Sequence, residues 1–352
     1  FVLSNFQMKQ INLFLVVIIA LLVLAPIILP SRFDEDFDYE FDAPVGLVYD
    51  EFYNLRRFSK WEEFTKVDTL TVKKFSDPQK DEKSFVAWDS DNASIGSGKF
   101  MVDNFSVNRF VNYTIKYKKK KKLDSLNVKF DQQENGKTVA KLKYLSQEIP
   151  YFYRYFAFFK NPKTKFEESM SNLNQQVKIR LDKDKKEGKL NYGEYRIVEL
   201  GKTNLLAIKK QSKIAESDVM DKVDGAFETI YKSLINKEEG GLDFDLGFPY
   251  IYFTEFNKEK DRTTFFAGIQ LIEDLPLQKE MKKVTVPSGQ YLLSLHLGPR
   301  SKRQQTVNRM VVYAKSKKLT LDSKQLEVML NDPKETDSVK LISRIYIPII
   351  KK

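Results

Sequence analysis

Phe33-Asp-Glu-Asp-Phe-Asp-Tyr-Glu-Phe41 alternates aromatic and acidic residues almost without a break. Phe33, Phe37, Tyr39 and Phe41 fall on one face of an extended chain, and Asp34, Asp36, Asp38 and Glu40 on the other. A period of two with one wet face is a half-buried strand. The acidic row is not a calcium site: it lacks the turn glycine and loop spacing of an EF-hand, and strand carboxylates on one face all point outwards. Residue 33 therefore opens a folded body that begins with a sheet.

Upstream of that strand the character is opposite. Residues 11–29 form one apolar run in which Asn12 is the sole polar side chain. At about 1.5 Å per residue the run reaches roughly 28 Å, close to the hydrocarbon thickness of a bilayer. It is longer than the apolar stretch of a cleaved signal peptide, and Ala25-Pro26-Ile27-Ile28-Leu29-Pro30-Ser31 offers no small-x-small cleavage site. The expectation is an N-terminal transmembrane helix within residues 1–32, a single-pass anchor with the body periplasmic or otherwise extracytoplasmic. Met8-Lys9 reads as a natural start, which would make residues 1–7 an upstream extension.

Composition narrows the chemistry. The 352 residues leave room for two ordinary domains after the apolar run. Cysteine is absent and His296 is the only histidine, which excludes disulfides, thiolate or His-rich metal sites and any triad that needs a second imidazole. No cofactor or metal is expected. The net charge of +11 comes from basic residues scattered among acidic ones, apart from the run 118–122, which sits between two strand-like stretches and reads as a solvated hairpin tip. A lipid-headgroup contact is the alternative for that run. No helix-turn-helix or RNA-binding signature is present, so nucleic acid is not an expected partner.

Downstream of the first strand, Pro44 suits a first helical turn, and Val45, Val48, Tyr49 and Phe52 recur at helical spacing. A second short helix is expected over 54–60. Strand-like segments follow at 65–75, 83–89, 98–105, 109–118, 123–132 and 138–146, joined by links too short for crossover helices, so they form an antiparallel meander. An aromatic block, residues 151–159, leads to Phe166, Met170, Leu173 and Val177, one apolar stripe of a long helix. Gly96-Ser97-Gly98-Lys99 is a turn and not a phosphate loop, since Phe100 stands where a magnesium-binding Ser or Thr belongs.

Phe41-x-Ala43-Pro44-x5-Asp50, then Asn54-Leu55 leading to Trp61, then Trp88 followed by Gly96-Ser97-Gly98, resembles the START-like superfamily with its polyketide-cyclase-type (SRPBCC) members. The resemblance implies a helix-grip domain over residues 33–183, with Trp88, Phe166 and Met170 lining an apolar cavity. The same residues would equally serve as solid core.

Residues 184–192 are mostly charged or polar and read as the end of the long helix plus a linker. From 193 to 352 a strand-helix-strand-strand unit occurs twice. The first copy is expected at 195–209, 216–236, 250–256 and 263–271, the second at 282–297, 300–316, 326–330 and 339–349. Gly247-x-Pro249-x-x-Tyr252, Phe266-x-Gly268, Pro287-x-Gly289, His296-x-Gly298, Glu327-x5-Pro333 and Ile345-Tyr346-Ile347-Pro348 are similar to the gyrase-inhibitor-like (GyrI-like) effector-binding family. That resemblance implies a cleft between two halves and an inward carboxylate, Glu327, that contacts a lipophilic or cationic ligand, with Tyr252, Phe266 and Met329 around it. Glu327 lies among Leu326, Val328, Met329 and Leu330, where a charge is costly unless it gains a partner, either a ligand cation or a Lys or Arg of the chain.

The sequence thus reads as an α+β chain: anchor, START-like helix-grip domain, and duplicated β-α-β-β effector-binding domain. The expected function is a membrane-anchored, non-catalytic protein with two cavities that senses or sequesters hydrophobic and cationic compounds. The alternatives are a hydrolase or cyclase acting in one cavity, and an effector module of a transcription regulator.

Overall fold

The computed structural model of the chain describes residues 5–66, 68–78, 81–93, 95–118, 122–158, 162–235, 248–270, 277, 280–331 and 335–350. Residues 119–121 of the basic run, Phe159 of the aromatic block, the last positions of two expected elements (236 and 271), Gly247 and Pro333 lie outside them. The chain divides into two compact units. The first comprises residues 1–43, 47–131 and 138–183; the second comprises 44–46, 132–137 and 184–352. Each unit contains one large antiparallel sheet with a few helices.

In the first unit, α1 (Asn5–Ile28) precedes β1 (Asp34–Phe41), α2 (Val45–Tyr53), α3 (Leu55–Trp61) and α4 (Glu63–Lys66). Then come β2 (Val72–Phe75), β3 (Phe85–Asp89), β4 (Ser97–Ser106), β5 (Phe110–Tyr117), β6 (Asp124–Gln132) and β7 (Thr138–Leu145), followed by α5 (Arg154–Phe158) and α6 (Lys163–Lys186). The sheet order is β1-β7-β6-β5-β4-β3-β2, a meander closed by the first strand. Strand β2 is shorter than its sequence pattern because α4 takes residues 65 and 66 and a turn takes 68–71: the Asp68 carboxylate accepts from the Leu70 N–H, and its carbonyl from the Thr71 N–H.

Helix α6 buries Phe166, Met170, Leu173 and Val177, the stripe its spacing requires. Phe166 meets the rings of Phe37, Phe64 and Tyr144 at centroid distances of 4.9, 4.8 and 5.3 Å. Arg180, three residues past Val177, clamps helix α2 by donating to Asp50 and Glu51, both at 2.7 Å.

The expected transmembrane anchor is overturned: among the described residues no helix is long and apolar enough to cross a membrane. The last turns of α1 belong to the body. The Arg154 guanidinium donates to the Pro26 carbonyl at 2.8 Å, and the Tyr151 hydroxyl donates to the Val23 carbonyl. A guanidinium held there costs several kcal/mol in hydrocarbon. The apolar stretch before Val23 is only about a dozen residues, or roughly 18 Å at 1.5 Å per residue, against about 30 Å of bilayer core. The single-pass localisation, the membrane partner and the extracytoplasmic body rested on that anchor and fall with it.

The second unit contains β8 (Arg196–Leu200), β9 (Thr203–Ser212), α7 (Glu216–Ile235), β10 (Pro249–Asn257), β11 (Arg262–Gln270), β12 (Met281–Val286), β13 (Gly289–Leu297), α8 (Arg303–Ser316), β14 (Gln325–Met329) and β15 (Ile342–Pro348). The sheet order is β12-β9-β11-β10-β14-β15-β13-β8. Exchanging the two copies maps β8 onto β12, β9 onto β13, β10 onto β14 and β11 onto β15. The order then reads the same from either end, as a pseudo-twofold axis between β10 and β14 requires. Each copy lends its first strand to the other: β8 pairs with β13, and β12 with β9.

Helix α7 buries Val219, Val223, Ala226 and Ile230 against Leu206, Ile208, Ile251 and Phe265. Helix α8 does the same with Val307, Met310 and Ala314 against Leu292, Ile345 and Ile347. The opposite sheet face gathers Tyr252, Tyr291, Leu326, Val328 and Tyr346 into a separate cluster. Substituting Phe166→Ala in the first unit should cost about 3–5 kcal/mol in urea denaturation, the range for deleting a packed core ring. A cost below about 1 kcal/mol would mean that the ring borders an open cavity instead.

Candidate functional site

Glu327 sits on β14 at the midline of the sheet. Its Cα partners are Ile251 on β10 and Ile345 on β15. Those two residues belong to the clusters under α7 and α8 respectively, so the carboxylate lies on the helix-covered face, between the two helices. Its exposure is 0%.

The chain supplies the partners that such a charge needs. Arg300 donates through both terminal nitrogens, one to each carboxylate oxygen at 3.0 Å. Arg303 donates through Nε to Oε2 at 2.7 Å. Burial alone would raise the Glu327 carboxyl, but the two guanidiniums more than offset it and hold it down at about 2. Arg303, itself buried, also donates to Gln325 Oε1 at 2.8 Å and lies over the Phe253 ring at 4.5 Å. Phe253 in turn stacks on Phe256, with centroids 5.4 Å apart.

His296 lies beside this cluster. A carbonyl can only accept, so Nε2 carries the proton donated to the Pro299 carbonyl at 3.2 Å, and Nδ1 accepts from the Thr306 hydroxyl at 3.0 Å. Burial pushes its pKa down, against the pull of Glu327, which keeps the ring neutral. The hollow bordered by His296, Arg300, Met329, Asn331 and Ser343 is about 10 Å³, room for no more than a single water.

The open space of the second unit lies one step outward. A groove of about 1200 Å³ runs between α8 and the β10–β11 hairpin. Gln304, Val307, Asn308, Val311 and Val312 present one face of α8 to it, the pattern that helical periodicity brings together. Phe256, Leu321 and Ile347 extend its apolar floor. Glu255, Glu259, Asp261 and Asp322 line it against one cation, Lys258. Gln325 and Phe256 are wall residues, so Glu327 reaches the groove through Arg303: directly to Gln325, and by stacking through Phe253 to Phe256.

Of the residues singled out in the sequence, Met329 shares the face of Glu327, packed in the core under α7. Tyr252 and Phe266 are register partners in the cluster on the other face, so the structure does not bring them to the carboxylate. In the first unit Phe166 and Met170 are buried on α6, and Trp88 packs on Phe100 and Tyr117. The sequence reading missed Arg300, Arg303 and the acidic rim. The two arginines were legible as the only guanidiniums at the start of α8. Nothing local in the sequence tied them to a residue 24 and 27 positions away.

Two outcomes follow from the pairing. The Glu327 carboxyl falls from an unfolded value near 4.5 to about 2 on folding, so between those values the unfolded chain binds more protons. The stability it confers is complete above about pH 4.5 and is lost as pH falls towards 2, on the order of 3 kcal/mol. His296, whose folded pKa is lowered, adds a loss of the same sign below about pH 6.5. Melting curves across this range should show that acid limb in the parent and a flatter one in Glu327→Gln. That variant should also lose about 3–5 kcal/mol at neutral pH, because it removes the negative charge that the buried Arg303 and the largely buried Arg300 share.

No curated protein matches the chain. The family model of the GyrI-like small molecule binding domain matches residues 193–350 and does not extend to 33–183. Similar solved structures include a hydrolase from Listeria innocua, 15% identical, covering 48% of this chain and 98% of that one at a TM-score of 0.36. SAV2435 bound to tetraphenylphosphonium is 17% identical, with coverages of 45% and 94% and a TM-score of 0.32. The EcmrR–DNA complex is 13% identical, with coverages of 56% and 70% and a TM-score of 0.39. Residues 193–350 are a GyrI-like small-molecule binding domain.

Proposed function

We propose that the C-terminal domain binds lipophilic cations, without transforming them, in the groove beside α8. The carrying observation is that groove itself: about 1200 Å³, an apolar floor, and four carboxylates against one lysine. An apolar body loses water on the floor while its positive charge meets the rim. Glu327 acts as a positioning residue, fixing Arg303 and through it Gln325 and Phe256. Its own carboxylate is already satisfied by the chain, so a cation reaching it must replace Arg300. Tyr252 lies on the opposite face, so the acid–base pair that a hydrolase would need is not assembled, and binding is the preferred reading. For residues 33–183, the order of strand, short helices, six-stranded meander and long helix supports a START-like helix-grip reading, with Phe166 and Met170 as core.

Tetraphenylphosphonium and tetraphenylborate share shape and differ in the sign of their charge. Calorimetric titration should show saturable binding of the cation at least tenfold tighter than of the anion. The double substitution Glu255→Gln with Asp322→Asn should weaken the cation about tenfold, the effect of removing two partly exposed charges. Equal affinities for both probes, or an unchanged affinity in the double variant, would refute this assignment.

A further inference from the structure

The outer face of the seven-stranded sheet carries a second groove of about 480 Å³, in the other unit and independent of the cation site. Its apolar lining is Val72, Ala87, Gly98 and the buried Trp88. A Cβ on Gly98 would stand 2.5 Å from the Lys116 carbonyl and 2.6 Å from the Trp88 ring, so close strand packing keeps that position bare. The rim is Lys74, Lys99, Lys116 and Lys118.

Register sets the spacing of these charges. Lys74 pairs with Ala87, Ala87 with Lys99, and Lys99 with Lys116, so the four residues form one straight row across four strands. Neighbouring strands are about 4.8 Å apart, which spreads three ammonium stems over roughly 14 Å. Lys118, whose N–H bonds to the Ser97 carbonyl, begins the next row. Lys99 and Lys116 stand directly opposite each other, an arrangement that destabilises a sheet. The one carboxylate of the groove, Asp89, accepts a hydrogen bond from the Ser97 hydroxyl. Among the described residues none of the four lysines is ion-paired.

We infer that this groove binds an oligophosphate, a linear chain of phosphoryl groups carried by a small molecule or free. The row is narrow and straight, and its charges are ammonium point charges, which suit phosphate oxygens better than the planar carboxylates that arginine forks match. Trp88 lines the groove, but its ring is buried against Phe100 and Tyr117 and offers no open platform for stacked bases, and Lys99 lies over the neighbouring Phe85 ring at 5.2 Å. A chain of anions laid along the row would neutralise the Lys99–Lys116 opposition.

The test is calorimetric titration of the full chain with sodium tripolyphosphate, inorganic phosphate and adenosine triphosphate at matched ionic strength. Tripolyphosphate should saturate one site and bind at least tenfold tighter than phosphate. An equal affinity for the nucleotide means that the phosphate tail alone is read, and a higher one that a carrier group adds contacts. Lys99→Gln with Lys116→Gln should weaken tripolyphosphate at least tenfold. Without ligand this variant should melt at or above the parent temperature, since it removes the like-charge pair. Unchanged binding in that variant, or a response of the parent that an equal ionic strength of sodium chloride reproduces, would overturn the inference. So would binding of an RNA oligonucleotide or of anionic vesicles with no binding of tripolyphosphate.

Discussion

A carboxylate with no contact to water is the constraint around which the C-terminal domain is organised. Taking Glu327 out of water costs several kcal/mol, and only short, well-aligned bonds to opposite charge recover it. Arg300 and Arg303 supply those bonds from the start of α8, so the helix is pinned to the central strand by charge as well as by Val307 and Met310. Geometry and electrostatics are inseparable here. If α8 shifted along its axis by one turn, the apolar contacts could be remade with other residues, but the guanidiniums would miss their acceptor. The ion cluster therefore fixes register where hydrophobic packing alone would leave choices, and the groove wall inherits that precision through Gln325 and Phe256.

Much of the architecture was legible because it is periodic. The apolar stripe of α6, the alternation in β1 and the repeat of strand, helix, strand, strand each follow from one-dimensional spacing. The apolar N-terminal run was misjudged for a related reason. Composition alone reads it as a bilayer span, whereas its fate is decided by Tyr151 and Arg154, well over a hundred positions away. Long-range partners of this kind leave no local mark.

The candidate site shows the same division. The burial of Glu327 could be read from its apolar neighbours, and so could its need for a partner. Whether that partner was a guest or an arginine of the chain could not. The parity of a strand settles another matter that the sequence hid: Tyr252 is next to Ile251, the register partner of Glu327, and so faces the other way. The groove depends on a helix face, a hairpin and a strand end converging, and none of these carries a recognisable motif.

The exchange of first strands between the two copies has a consequence for their independence. Neither half owns a complete sheet, because β8 finishes the half that contains β13, and β12 finishes the half that contains β9. A single half made alone would expose an unpaired edge where the borrowed strand belongs. Two such molecules could satisfy each other only by swapping arms, which rebuilds the palindrome as an intertwined homodimer. The tandem chain is thus the covalent form of a swapped pair, with its two halves joined in one continuous eight-stranded sheet.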